Sequence, residues 1–191
     1  VDFETEFNGT NEDGDGIYLP YLRDEETLAR PWAIPGTPGL MHRVGGIEKE
    51  DGSGNISYDP ENHQKMVDVR QAKVDGIDVP DAEVMGDQDA DFCFLSWGST
   101  WGAVDAATAR LQADGHKIAY VHLTHLNPFP SNLGEVLGKF KKVLCPEMNA
   151  GQLDKLVRAK YLIDVQGAHK MNGVPYTTAE IQAAALEALR G

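Results

Sequence analysis

From Asp91 onward the chain alternates short apolar runs with amphipathic stretches, and that alternation restricts the fold more than any other feature. Phe92 to Trp97 is a brief apolar run closed by Gly98, the pattern of a strand buried on both faces. Val104, Ala107, Thr108 and Leu111 recur at helical spacing before Gly115. Lys117 to Leu123 supplies a second strand, and Pro128 and Pro130 end that segment. Asn132 and Glu135 have the spacing of a capping box, with Leu133, Val136, Leu137 and Phe140 as an apolar stripe behind it. Val143 to Pro146 reads as a third strand, Leu153, Leu156 and Val157 as the stripe of a helix, and Ile163 to Val165 as a fourth strand. Thr177 and Glu180 cap a last helix through Ile181, Ala184, Ala185 and Leu189. The pattern predicts an α/β fold with a parallel, helix-covered sheet over residues 89–191.

Residues 1–88 have a different texture. Residues 1–30 carry nine acidic residues against Arg23 and Arg30, which reads as a solvated or mobile arm. Ile34 to Asn55, IPGTPGLMHRVGGIEKEDGSGN, is glycine-rich with two prolines. Glycine costs roughly 0.5 to 1 kcal/mol in a regular element and proline removes a backbone donor, so this run predicts a long shaped loop. His42, Arg43, Glu48, Lys49, Glu50 and Asp51 mix signs within ten residues, which suits gripping a polar partner and makes the loop the first candidate site. A polar helix follows over Asp59 to Asp75, with Asp59 as N-cap and Pro60 at the first helical position. Glycine and acidic residues together predict mobility over residues 1–60.

Composition excludes several partners. A net charge of -13 on 191 residues disfavours nucleic acid and anionic membranes, which reward a basic face. No run approaches the roughly 18 apolar residues of a membrane span, and the acidic amino terminus is unlike a secretory signal, so the expectation is a cytoplasmic protein. Opening on Val1 rather than methionine, the sequence is expected to be a fragment, or a processed chain, of something longer. Cys93 and Cys145 lie in apolar runs, where a thiol packs as a small hydrophobe, and two cysteines cannot supply the four thiolates of an iron-sulfur cluster.

In such a sheet the working surface lies where strand carboxyl ends meet the following helices. Three segments should arrive there: Gly98 to Gly102, His122 to Pro130 and Glu147 to Gln152. They offer Ser99, Thr100, His125, Asn127, Glu147, Asn149 and Gln152, groups able to approach a phosphate or a partner backbone. Helix capping is the plainer role for Ser99 and Thr100, and tying down a turn the plainer role for Glu147. His122 and His125 lack third and fourth ligands in order, so no metal is assigned. No GxSxG, Walker or GxGxxG motif is present.

Four ordered stretches, IPGTPGLMHRVGGIEKEDGSGNISYDPENH, DADFCFLSWGSTWGAV, HLTHLNPFPSNLGEVL and VLCPEMNAGQLDKLVRAKYLIDVQG, resemble the carboxyl-terminal third of the alpha subunit of 2-oxoacid:ferredoxin oxidoreductases, nearest the 2-oxoglutarate type. The resemblance covers Tyr18 to Pro175. It implies a thiamine diphosphate enzyme that oxidatively decarboxylates a 2-oxoacid, passes the acyl group to coenzyme A and delivers electrons through an iron-sulfur cluster to ferredoxin. It also implies a beta subunit holding chiefly the thiamine diphosphate, its Mg and the cluster, in a dimer of heterodimers, with no cofactor on this chain alone. Residues 1–88 would be the end of a pyrimidine-binding domain and its linker. Residues 89–191 would be a transketolase C-terminal-like domain, a three-layer α/β/α sandwich used in subunit packing. The glycine-rich loop would lie near the active-site entrance, with Arg43 meeting a substrate or coenzyme A anion and His42, Glu48, Glu50, Asp51 and Asn55 around it. A non-catalytic subunit-interaction domain is the alternative, and flavodoxin-like nucleotide binding is disfavoured by the missing phosphate loop.

Overall fold

Continuous burial along three short runs builds the centre of the sheet. In the computed structural model, which describes residues 17–190, Phe92 and Phe94 point to one face of strand β2 (Phe92–Trp97) while Cys93 and Leu95 point to the other. Both sets are buried, so the strand needs helices on each side. The elements follow in order as α1 (Pro60–Asp75), β1 (Met85–Gly86), β2, α2 (Trp101–Ala113), β3 (Ile118–Leu123), α3 (Leu133–Leu137), β4 (Lys142–Glu147), α4 (Leu153–Tyr161), β5 (Val165–His169) and α5 (Thr178–Arg190). The sheet order is β1-β3-β2-β4-β5, with β2, β3, β4 and β5 parallel and β1 antiparallel to β3. Phe92, Phe94, Ile118 and Leu144 pack with Val104, Ala107 and Leu111 of α2 and Ile181 and Ala185 of α5. Cys93, Leu95, Val121 and Val143 pack with Leu133 and Leu137 of α3 and Leu153 and Val157 of α4. The expected α/β/α layering is therefore present.

Contacts divide the chain into residues 1–78 and 79–191. The boundary falls ten residues before the texture change at 88, because Ala82 joins one core cluster and Met85 and Gly86 pair with Tyr120 and Ala119. In the first unit Asp59 caps α1 as expected, its side chain accepting from Asn62 N at 2.7 Å. Six acidic residues of the expected arm, Asp2 to Asp15, lie outside the described residues. Residues 17–30 are not a bare solvated run: Tyr18 is buried, Tyr21 N donates to Gly52 O, and Asp24 closes a turn by accepting from Thr27 N.

Several local expectations need correction. Asn132 caps nothing; its amide instead accepts from Ala82 N at 2.8 Å and donates to Ala82 O at 3.0 Å, behaving like a neighbouring strand's peptide group. Leu156 is exposed while Leu153 and Val157 carry the buried stripe of α4. The fourth strand starts at Val165, because Leu162 turns left-handed (φ 57°) to end α4 and the pairing with β4 runs from Val165 to His169. The Thr177–Glu180 capping box is made in both directions.

Candidate functional site

Strands β3 and β4 leave β2 on opposite sides, so the order of the sheet reverses between β2 and β4. At the carboxyl ends of these two strands is a crevice of about 260 Å³ lined by Trp97 to Thr100, Met148, Asn149 and Gln152. The structure thus brings together Ser99, Thr100, Asn149 and Gln152, with Glu147 directly beneath. Gly98 makes the turn with φ 57°. Thr100 does not cap α2; its hydroxyl donates to Trp97 O at 2.8 Å and accepts from Trp97 N at 3.3 Å. Ser99 reaches only the Met148 sulfur, at 3.8 Å.

Glu147 is fully buried. Its carboxylate accepts from Trp97 Nε1, Asn149 Nδ2 and the backbone N–H groups of Gln152, Leu153 and Asp154, between 2.9 and 3.2 Å. The last three are first-turn donors of α4, so the helix terminus already holds an anion of its own. Asp154, also buried, pairs with His169 Nε2 at 2.8 Å. Gly151 and Gly167 make room for that pair, because a Cβ on Gly167 would lie 2.1 Å from His169 Nε2. Single ligand atoms of Glu147, Asp154 and His169 come within 4.8 Å of one another. The N–H groups aimed at Glu147 spend its lone pairs, and the arrangement is that of a structural clasp joining β4, α4 and β5. Sequence reasoning missed Asp154 and His169, since nothing in the spacing marks them as neighbours.

His125 and Asn127 sit apart from this crevice. Asn127 lines a second cleft of about 570 Å³ with Leu126, Phe129, Leu156, Ala159 and Lys160, while His125 is exposed and bonds Thr124. His122 lies in the sheet opposite Ser96, 2.9 Å from its hydroxyl, and burial holds its imidazole below the ordinary value.

The glycine-rich loop has two parts. Residues 48–56 form a short hairpin fastened to α1. Glu48 takes His63 at 2.7 Å and both terminal nitrogens of Arg70, which with His63 hold its carboxyl down at about 2. Asp51 pairs with Lys65, and its N–H donates to Asn62. Glu50 accepts from Ser53, and Asn55 O accepts from Glu50 N. Gly54 (φ 70°) lies against Pro20 and Tyr21 so closely that a Cβ would sit 2.7 Å from Pro20. Residues 33–47 are the open part: His42 packs edge-on to Tyr18, and exposed Arg43 makes no hydrogen bond or ion pair among the described residues.

Residues 90–181 match the family described as pyruvate:ferredoxin oxidoreductase core domain II. The chain is 54% identical over 165 residues to the 2-oxoglutarate oxidoreductase subunit KorA of Mycobacterium tuberculosis, covering 86% of this chain and 25% of that protein. It is 31% identical to the alpha subunit of 2-oxoacid:ferredoxin oxidoreductase 1 of Aeropyrum pernix, over 74% of this chain and 23% of that one. A solved 2-oxoglutarate:ferredoxin oxidoreductase from Magnetococcus marinus, with 2-oxoglutarate, coenzyme A and succinyl-CoA bound, superposes on 97% of this chain with a TM-score of 0.81 at 32% identity. Residues 90–181 thus match a pyruvate:ferredoxin oxidoreductase core domain II, and most of the chain is similar to one part of the alpha subunits of 2-oxoacid:ferredoxin oxidoreductases. The chain spans about a quarter of the curated relatives' length and a third of the solved chain.

Among the described residues, neither the two cysteines nor the α4 terminus fits an iron-sulfur cluster or a diphosphate. Cys93 and Cys145 are buried and burial pushes both thiols up, the opposite of what thiolate ligation to a cluster needs. The α4 terminus, where a diphosphate could dock, is filled by Glu147. No helix among the described residues is long and apolar enough to cross a membrane.

Proposed function

We propose that this chain is part of the alpha subunit of a thiamine diphosphate-dependent 2-oxoglutarate:ferredoxin oxidoreductase. The enzyme converts a 2-oxoacid and coenzyme A to acyl-CoA and carbon dioxide, with two electrons passed to ferredoxin. The observation that carries the reading is the superposition of 97% of this chain on a third of a 2-oxoglutarate:ferredoxin oxidoreductase chain, supported by 54% identity over 165 residues to a 2-oxoglutarate oxidoreductase subunit. Thiamine diphosphate, its Mg and the iron-sulfur cluster are held by other parts of the complex, in keeping with the poor fit of Glu147 and the buried cysteines to such groups. The partners are a beta subunit and, through the complex, ferredoxin; the assembly is a cytoplasmic dimer of heterodimers, bound to neither nucleic acid nor membrane.

In this reading residues 89–191 are the transketolase C-terminal-like packing domain. Residues 1–88 are the end of the pyrimidine-binding domain and its linker. The 34–55 loop contributes the active-site-proximal surface, with the unpaired Arg43 guanidinium available to a carboxylate or phosphate of substrate or coenzyme A. His42 flanks it, while Glu48, Glu50, Asp51 and Asn55 shape the hairpin behind. A purely interaction-based role is favoured by the cleft at Leu126, Phe129 and Leu156, which leaves apolar surface for a partner subunit. The two readings separate on assembly of the full-length parent with its beta subunit. Viologen reduction that requires 2-oxoglutarate, coenzyme A and thiamine diphosphate supports the oxidoreductase; a stable complex inactive on every 2-oxoacid supports the interaction domain.

A further inference from the structure

Lys49 is 3% exposed, and lysine is almost never buried without a partner. Its Nζ donates to Gly45 O at 2.7 Å and to Ile47 O at 2.8 Å. The nearby carboxylates are committed elsewhere, Glu48 to His63 and Arg70, Glu50 to Ser53 and Asp51 to Lys65. Among the described residues the ammonium is therefore satisfied by main-chain carbonyls. Those two bonds are also the only hydrogen bonds, among the described residues, that reach the main chain of residues 41–47. That stretch contains no helix or strand. Side-chain packing adds one contact, His42 edge-on to Tyr18 before the glycine pair; Met41 is 92% and Val44 87% exposed, and a Cβ on Gly45 or Gly46 would meet nothing within 4 Å.

We propose that the Lys49 ammonium is a latch that fixes the 41–47 segment and so sets where Arg43 is presented. Two charge-assisted bonds to carbonyls two residues apart restrict the Gly45–Gly46 dihedrals, the most permissive in the loop. Lys49 is thus a positioning residue rather than a contact. Its bearing on turnover rests on the reading of this loop as substrate- or coenzyme A-proximal.

Limited trypsin digestion of the assembled protein, with cleavage after Arg43 followed by mass spectrometry, tests the latch. Wild type, Lys49→Met and Lys49→Arg are compared after matching their circular dichroism, and Lys49→Gln replaces Lys49→Met if the latter does not fold. The latch predicts cleavage after Arg43 about tenfold faster in the variant without the ammonium. It predicts a rate near wild type for Lys49→Arg and no change after Arg70 in α1. Equal rates after Arg43, or a rise shared by Arg70, overturn it. Faster cleavage after Arg43 with unchanged KM for the 2-oxoacid and coenzyme A leaves the latch standing and sinks the loop's substrate contact instead.

Discussion

Trp97 Nε1 donates to Glu147 Oε1 at 3.2 Å, tying the end of β2 to the end of β4 where the sheet order reverses. The same carboxylate holds the first turn of α4. The crevice of this domain is consequently built around an internal anion, and its floor is a structural support.

Removing that anion leaves several buried donors unpaired. Glu147→Ala is expected to destabilise the fold by about 3 kcal/mol and Glu147→Gln by roughly half as much, because the amide keeps one acceptor oxygen. Urea unfolding measures both; a loss within error of zero for Glu147→Ala would show that the clasp contributes nothing.

Small residues beneath His169 give a sharper steric contrast. Gly167→Ala places a methyl 2.1 Å from His169 Nε2 and 2.4 Å from Asp154 Oδ2, so the 2.8 Å pair must open, at about 1–3 kcal/mol. Gly102→Ala meets nothing within 4 Å inside α2 and should add roughly 0.5–1 kcal/mol. Thermal melts of the two variants should therefore move in opposite directions.

Acid should loosen the hairpin's hold on α1. Hydrogen bonds from Arg70 and His63 lower the Glu48 carboxyl from 4.5 to about 2. Its folded value lies below its unfolded value, so its contribution is fully present above about pH 5 and is lost as pH falls toward 2. Solvent screening of the exposed partners keeps this near or below about 1 kcal/mol. Arg70→Ala should lower stability at pH 7 and converge with wild type by about pH 2; a gap that persists at the acid end contradicts the assignment.

Arg43 has no partner among the described residues, so Arg43→Ala should leave the melting temperature unchanged. In the assembled enzyme it should raise KM for the 2-oxoacid or coenzyme A by about tenfold. Unaltered kcat/KM for both would remove Arg43 from the site.

Much of the fold was legible because burial on both faces of β2, β3 and β4 makes continuous apolar runs, and because the stripe from Val104 to Leu111 lies wholly inside. β5 was harder: Gln166 and Gly167 are exposed, so its sequence lacks a strand's apolar signature and its place is set by pairing with β4. The two-residue β1 exists only through β3. At the candidate sites, Ser99, Thr100, Asn149 and Gln152 converge on one crevice, while Asn127 lines another cleft. Partners distant in sequence were invisible, including Trp97 on Glu147, His169 on Asp154 and Arg70 on Glu48.

The most direct test of the account follows succinyl-CoA formation and viologen reduction together in the full-length parent assembled with its beta subunit. The account predicts matched production of both, dependent on 2-oxoglutarate, coenzyme A and thiamine diphosphate. A correctly assembled complex that binds these compounds yet forms no acyl-CoA from any 2-oxoacid would contradict it.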